Sequence, residues 1–350
     1  MANREGEKKL VLHMDVNNTV LVGDSFTKQF SVEQVLNEYL AEASWGVEDR
    51  EGKWIWLNDL PLSSPPSLEA IQYYQYAERN FANHKRSVFK NFVRSFTEND
   101  IGKKFRPFFE EMKEKLVCHS CLTDGIIDQV LSIGQDGRKY HRVLPSFLHL
   151  VCNLFHEERD FAIIFRTFGG DGHTLLEVMD LFLKGLHPDF PKVPRSAHKC
   201  PLNTNPGSIK RLSDGVITVT CPDNTTCSEP KEIYANFSQC EEIQLFTDDY
   251  HWWREGGFKH SSGKPLFVDP SDLSVQHIIF EDNFRAWRPD NSIVDVQIME
   301  NGNFHSVDPQ DYEGIFVVKS DLYKSIVNEN YFIEQVETCE KSFQERFGYK

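Results

Sequence analysis

Apolar residues run almost unbroken through residues 10–22 (LVLHMDVNNTVLV), interrupted by His13 and by a polar stretch holding Asp15, Asn17, Asn18 and Thr19. A run of this kind predicts a buried strand that ends at Asp15 and passes into a turn. The pattern returns at residues 161–165, which lead into Arg166, Thr167 and a glycine-rich turn, and at residues 276–282 (QHIIFED), which end in acids. Shorter strand-like runs occupy residues 53–57, 216–220, 243–246, 294–299 and 315–318. Elsewhere the apolar spacing is helical. Ser31 and Gln34 take the N-cap and capping-box positions of a helix over residues 31–43. Residues 68–116 carry aromatic side chains at helical spacing, Leu148, Val151, Cys152 and Phe155 mark another helix, and residues 173–186 and 321–347 predict two more.

A helix, a buried strand, a small hydroxyl and a glycine-rich turn in succession form a βα-type unit, which predicts an α/β fold with a doubly wound sheet. In such sheets ligands bind in the crevice beyond the carboxyl ends of the strands, where Asp15 would meet a substrate or a metal. An ordinary turn whose Asp and Asn side chains bond their own backbone would give the same local pattern. The core is expected in three parts, residues 8–29, 140–190 and 261–350. A large, mostly helical insertion fills residues 30–139. A second, loop-rich insertion fills residues 191–260, where Pro, Asn, Cys and Ser cluster between short strand-like runs.

Composition narrows the function classes. The 350 residues suffice for about two domains, or for one core carrying large insertions. A balance of 38 Lys and Arg against 53 Asp and Glu gives a net charge of −15, which disfavours nucleic acid and anionic membranes as partners. Lys85, Arg86, Lys90 and Arg94 interleave with aromatic residues, but that negative balance favours a helical core packing on itself. No apolar run approaches the roughly 20 residues that cross a bilayer, and the charged start MANREGEKK lacks a secretory pattern. A cytoplasmic protein with reduced cysteines is therefore expected. Cys118 and Cys121 form a CxxC with His119 inside it, half of a zinc site whose remaining ligands would come from distant residues; Cys221 and Cys227 are the nearest candidates by type.

Three predicted strands end in different polar groups: Asp15 with Asn17 and Thr19, then Thr167, then Glu281 and Asp282, with Lys264 upstream of the last. In this order they resemble the four motifs of the haloacid dehalogenase superfamily, most of whose members are magnesium-dependent phosphatases. The resemblance covers a Rossmann-like core over residues 8–27, 144–186 and 263–350, and both insertions fall where that family carries cap domains. It implies that Asp15 attacks a phosphoryl group and forms an aspartyl-phosphate, dividing one hard displacement into two easier ones. Thr167 would hold a phosphoryl oxygen and Lys264 would neutralise charge there, with Lys259 and Lys210 as fallback choices. Asp15, the Asn17 backbone carbonyl and Glu281 or Asp282 would hold Mg²⁺. The implied substrate is a small phosphorylated metabolite.

One position departs from the family pattern. Two residues after the nucleophile the phosphatases carry a second Asp, which protonates the leaving group and later activates water. Here the residue is Asn17, and an amide neither supplies nor takes a proton at neutral pH. The resemblance therefore implies either a hydrolase of reduced activity or a catalytically impaired relative that keeps the fold for ligand binding or protein interaction. A third reading, less favoured by the sequence, treats the helical residues 30–139 as a partner-binding module.

Overall fold

The computed structural model describes residues 8–23, 31–81, 85–120, 131–170, 172–190, 192–194, 196–197 and 200–348. The predicted opening strand, Lys9–Asp15, lies inside an eight-stranded mixed sheet. Its neighbours, Phe161–Thr167 on one side and Val275–Glu281 on the other, both run parallel to it. Beyond Phe161–Thr167 come the parallel strands Ile243–Thr247 and Gly207–Arg211, then Ile217–Thr220 and Thr226–Cys227, which pair antiparallel. Beyond Val275–Glu281 lies the short parallel strand Val317–Lys319.

This order positions the site. After the opening strand the chain builds the sheet in one direction, then returns at Val275–Glu281 to build in the other. The strand order thus reverses at Lys9–Asp15, and a crevice opens beyond the carboxyl ends at such a point. Register does the rest: Asp15 pairs with Arg166 and Met14 with Phe280, so Asp15, Thr167 and Glu281 reach the same edge. All seven residues of Phe161–Thr167 are buried, which is why the strand reads as a continuous apolar run and not as an alternation.

Ten α-helices occur among the described residues, so the chain is a mixed α/β protein. Helix Val32–Glu42 starts at Ser31 as its sequence predicts. The Gln34 amide N–H donates to Ser31 Oγ at 3.4 Å, and the Ser31 N–H donates to Gln34 Oε1 at 3.0 Å. A cap of this kind stabilises a helix by about 1 kcal/mol. Residues 31–115 also hold a small antiparallel sheet of Trp54–Trp56, Trp45–Glu48 and Ile71–Gln72, and helices Tyr73–Asn80, Arg86–Val93 and Arg106–Lys115. The aromatic residues of this region pack on one another; Trp56 and Phe105 stack with ring centres 5.0 Å apart. Leu36, Phe89 and Phe105 belong to the same hydrophobic cluster as Leu10 and Ile163 of the large sheet. Lys90 and Arg94 both pair with Glu38, so these two bases hold one helix to another.

Three expectations are corrected. Residues 207–247, read as part of a loop-rich insertion, contribute four strands of the large sheet and the helix Pro230–Gln239. Strands such as Gly207–Arg211 (GSIKR) are short and carry exposed polar residues on one side, which leaves too few apolar positions for a periodic signal. Residues 321–347 form two helices, Leu322–Val327 and Tyr331–Phe347, because the polar run Asn328, Glu329 and Asn330 interrupts the apolar spacing. A separate three-stranded sheet pairs Lys264–Val268 with Val294–Glu300 and the unexpected strand Asn303–Val307. No helix among the described residues is long and apolar enough to cross a membrane.

Candidate active site

The opening strand carries Asp15 to the sheet edge, where it is 8% exposed. The chain then turns back at once: the Val20 and Leu21 amides donate to the Val16 carbonyl at 3.0 and 2.9 Å, with Asn18 in the left-handed region at φ 58°. Asparagine accepts that conformation more readily than most residues. Lys264, the first residue of its strand, reaches this edge from the smaller sheet. Its ammonium donates to Asp15 Oδ1 at 2.5 Å and to Glu281 Oε2 at 2.7 Å, and the side chain is 1% exposed. Burial alone would lower its pKa, but Asp15 and Glu281 outweigh that and hold it above the usual lysine value.

One carboxylate oxygen from each of Asp15, Glu281 and Asp282 lies within 4.8 Å of the others. Burial, and then the Glu281 carboxylate, hold the Asp15 carboxyl well above the usual range, with Lys264 opposing them. Burial and Glu281 likewise push Asp282 up to about 7. These shifts share a cause, since three acids crowd a buried edge whose negative charge Lys264, and at Asp282 also Lys319, offset only in part. An all-oxygen donor set of this charge suits a hard divalent cation such as Mg²⁺. The Asn283 amide donates to Glu281 Oε1 at 3.1 Å, which fixes the second oxygen of that acid. Lys319, at the end of its strand, donates to the Asp282 carbonyl. Burial, with help from Arg285, lowers the Lys319 pKa.

Thr167 ends the neighbouring strand and is buried. Its hydroxyl accepts from the Gly169 amide at 2.9 Å, which shapes the turn before helix Gly172–Leu183. Gly172 lets the helix approach the sheet closely there, since a Cβ would lie 2.3 Å from Leu245 Cδ2 and Leu245 would have to shift. Phe168 places its ring 5.1 Å from the Lys264 ammonium and stacks on Trp253, 5.4 Å away. The segment His251–Trp252–Trp253–Arg254 therefore packs behind the site through Trp253.

Beneath the edge runs a buried polar chain. Arg166 forks onto Asp248 at 2.9 and 2.5 Å and also faces the Pro265 carbonyl and His13 Nδ1, at 3.2 and 3.3 Å. Arginine only donates, so His13 Nδ1 accepts and His13 Nε2 carries the proton. That nitrogen lies 3.2 Å from His277 Nδ1, and His277 Nε2 lies 2.9 Å from Ser238 Oγ. One donor at Arg166 thus sets the direction of the whole chain. Burial first, and for His13 also the Arg166 charge, keep both imidazoles neutral, His277 with a pKa of about 3.

The structure brings Asp15, Lys264, Glu281 and Asp282 together, with Thr167 ending the adjacent strand and Asn17 in the turn after Asp15. Lys210 and Lys259, the fallback lysines, are exposed, whereas Lys264 bonds Asp15 directly. Sequence reasoning missed Arg166, Asp248, Phe168 and Lys319. Two of these had a readable signal. Arg166 is a charge inside an apolar run, which demands a buried partner, and Asp248 follows a strand as Asp15 does. A cleft of 260 Å³ opens beside Asp282, lined among others by Asn18, Tyr74, Arg285, Trp287 and Lys319. It lies between residues 39–78 and residues 282–322, and Glu42 in its wall is pushed up to about 7 by burial and by Glu38. Of the CxxC, Cys121 lies outside the described residues. Cys118 meets His141 and Asp189, whereas the suggested partners Cys221 and Cys227 pack in another cluster, around Ile209 and Phe237. Comparison with protein-family models, with curated proteins and with solved structures returned no match for the chain.

Proposed function

We propose that the chain is a phosphohydrolase of the haloacid dehalogenase type, with a Rossmann-like core and Asp15 as nucleophile toward a small phosphorylated metabolite. The observation that carries this reading is the buried Lys264 bridge between Asp15 and Glu281, with Asp282 beside it at a strand-order reversal. Asp15, Glu281 and Asp282 would hold Mg²⁺. When bound, the ion supplies positive charge for the phosphoryl oxygens.

The chain's own residues have distinct tasks. Lys264 orients Asp15 through Oδ1 and opposes the burial and the Glu281 charge that favour its protonated form, since a nucleophile must be ionised to attack. A carboxylate oxygen of Asp15 attacks phosphorus, the bond to the leaving oxygen breaks, and the aspartyl-phosphate is hydrolysed by water to return the carboxylate and release phosphate. The Gly169 N–H already occupies the Thr167 hydroxyl oxygen as acceptor, so that hydroxyl's proton remains to be donated to a phosphoryl oxygen. Asn17 cannot protonate the leaving oxygen. The reading therefore favours substrates whose leaving group departs as a stable anion, such as an acyl phosphate or a phosphoric anhydride. The cleft beside Asp282, with Arg285 and Lys319 in its wall, is the candidate seat of the leaving group.

The test is phosphate release from a panel of esters, anhydrides and acyl phosphates with Mg²⁺, comparing the wild type with Asp15→Asn. Release by the wild type that vanishes in the variant supports the reading, and release that survives in Asp15→Asn removes Asp15 as nucleophile. Asn17 also favours a second reading, a ligand-binding relative in which the same site binds a phosphorylated molecule without turning it over. Binding of a phosphorylated compound with no release from any member of the panel would favour that alternative.

A further inference from the structure

The second convergence of metal-ligating groups lies in another part of the molecule and plays no part in the proposed chemistry. Cys118 follows helix Arg106–Lys115, His141 ends the short strand Lys139–His141, and Asp189 lies in the turn region beyond helix Gly172–Leu183. A sulfur, an imidazole nitrogen and a carboxylate oxygen from these three segments lie within 4.8 Å of one another. We infer that Cys118, His141 and Asp189 form a binding site for a dication of the zinc class.

The donors fit that class. A thiolate, an imidazole and a carboxylate are the ligands zinc takes, and a mixed sulfur and nitrogen set disfavours Mg²⁺ or Ca²⁺. The three segments are held together by backbone bonds as well. The Cys118 amide donates to the Lys139 carbonyl and the His141 amide to the Leu116 carbonyl, each at 2.9 Å. The donors are thus presented by fixed backbone. His141 Nε2 lies 2.8 Å from Asp189 Oδ2, the Ser120 hydroxyl donates to the other oxygen, and the Cys118 thiol also bonds Asp189. Tetrahedral zinc separates its nitrogen and oxygen ligands by about 3.3 Å, so binding would spread the His141–Asp189 pair by roughly half an ångström.

The site is also open on one side, because His141 and Asp189 line a cavity with His119, Pro145 and Phe190. The location suggests a clip. One residue beyond His141, the Arg142 carbonyl accepts the Val22 amide, and the Leu144 amide donates to Val20. A metal here would brace the segment that follows the Asp15 turn.

The test uses the purified full-length chain, stripped with a chelator and titrated with Co²⁺ and then Zn²⁺. A thiolate-ligated site is expected to take about one equivalent of Co²⁺, with an intense near-ultraviolet charge-transfer band that Zn²⁺ abolishes. The band should disappear in Cys118→Ser and persist in Asp15→Asn, which separates this site from the carboxylates at the sheet edge. No such band in the wild type, or a band that survives in a folded Cys118→Ser, overturns the inference. If that variant does not fold, the wild type still decides. Zn²⁺ should slow alkylation of Cys118 about tenfold or more by peptide mass spectrometry, and equal alkylation with and without Zn²⁺ overturns the site.

Discussion

Lys264→Met replaces the ammonium with an apolar side chain of similar length and isolates the charge balance of the site. The wild-type ammonium sits 2.5 Å from one carboxylate and 2.7 Å from another at 1% exposure. Without it, the three carboxylates of Asp15, Glu281 and Asp282 keep oxygens within 4.8 Å of one another. At an effective dielectric of about 20, one pair at that separation gives a repulsion of about 3.5 kcal/mol, within the roughly 3–5 kcal/mol typical of breaking a buried pair. The protein can avoid this cost only by taking up a proton. Neutralising a carboxyl of ordinary pKa near 4 costs about 1.4 kcal/mol at pH 5 and about 5.5 kcal/mol at pH 8. Protonation therefore relieves the variant at pH 5 and not at pH 8.

The sign follows from linkage. The folded-state pKa of the affected acid is raised further above its unfolded value, so stability is lost as pH rises above the unfolded pKa. Urea unfolding of wild type and Lys264→Met at both pH values is the measurement. The expected destabilisation is about 3–5 kcal/mol at pH 8 and under about 2 kcal/mol at pH 5. Equal destabilisation at both pH values, or less than about 1 kcal/mol at pH 8, would refute the reasoning, because an exposed or unpaired lysine behaves that way.

Asn17→Asp restores a group that can carry a proton. It should raise turnover of alkyl phosphate esters by about 10²- to 10⁴-fold, with a smaller gain for acyl phosphates, whose leaving groups need no proton. Mg²⁺ should raise the unfolding free energy by about 2.7 kcal/mol at one hundred times its dissociation constant, and Glu281→Gln should abolish most of that gain; thermal scans with and without EDTA read both. Asp248→Asn leaves the buried Arg166 charge without its partner and should cost roughly 3–5 kcal/mol by urea unfolding, although Asp248 is not proposed to touch substrate. His277, held neutral with a pKa of about 3, gives stability that is complete above the unfolded pKa near 6.5 and is lost as pH falls toward 3. His277→Gln should flatten the acid limb of the stability curve by up to about 1.4 kcal/mol per pH unit.

The site was legible in the sequence because its residues sit at the ends of strands buried on both faces. Such strands write long apolar runs, and a polar residue that stops one is conspicuous, as at Asp15, Thr167 and Glu281. Lys264 was harder. It begins a strand, and nothing local distinguishes it from Lys259, which is exposed. Its contact with Asp15 is made across 249 residues of chain, from a strand of a different sheet, so no local pattern reveals it. The strands of residues 207–227 were illegible for a different reason. They extend the far edge of the sheet, run antiparallel from Ile217 onward, and expose residues such as Lys210, so composition made them look like loop. Arg166 was visible as a charge in an apolar run, but its partner Asp248 lies 82 residues away and no local rule connects them.

Charge, more than any single residue, links the fold to the proposed reaction. At the sheet edge three acids face the ammonium groups of Lys264 and Lys319, and burial with the Glu281 charge pushes Asp282 up to about 7. Beneath the edge the opposite arrangement holds, with Arg166 matched by Asp248 and two imidazoles kept neutral. The lower layer is balanced in charge and so contributes rigidity, and Arg166 fixes the direction of its hydrogen-bonded chain. The upper layer is unbalanced, and a buried excess of negative charge is costly unless a cation or protons offset it. Stability alone would favour one acid fewer, as Asp282→Asn would provide. Three acids at the point where the strand order reverses are the donor set that the proposed divalent-cation site would use. Asp282→Asn should therefore raise apo stability above pH 7, read by urea unfolding, while weakening Mg²⁺ binding. If Asp282→Asn instead destabilises the apo protein at that pH, the excess negative charge is not the cost argued here.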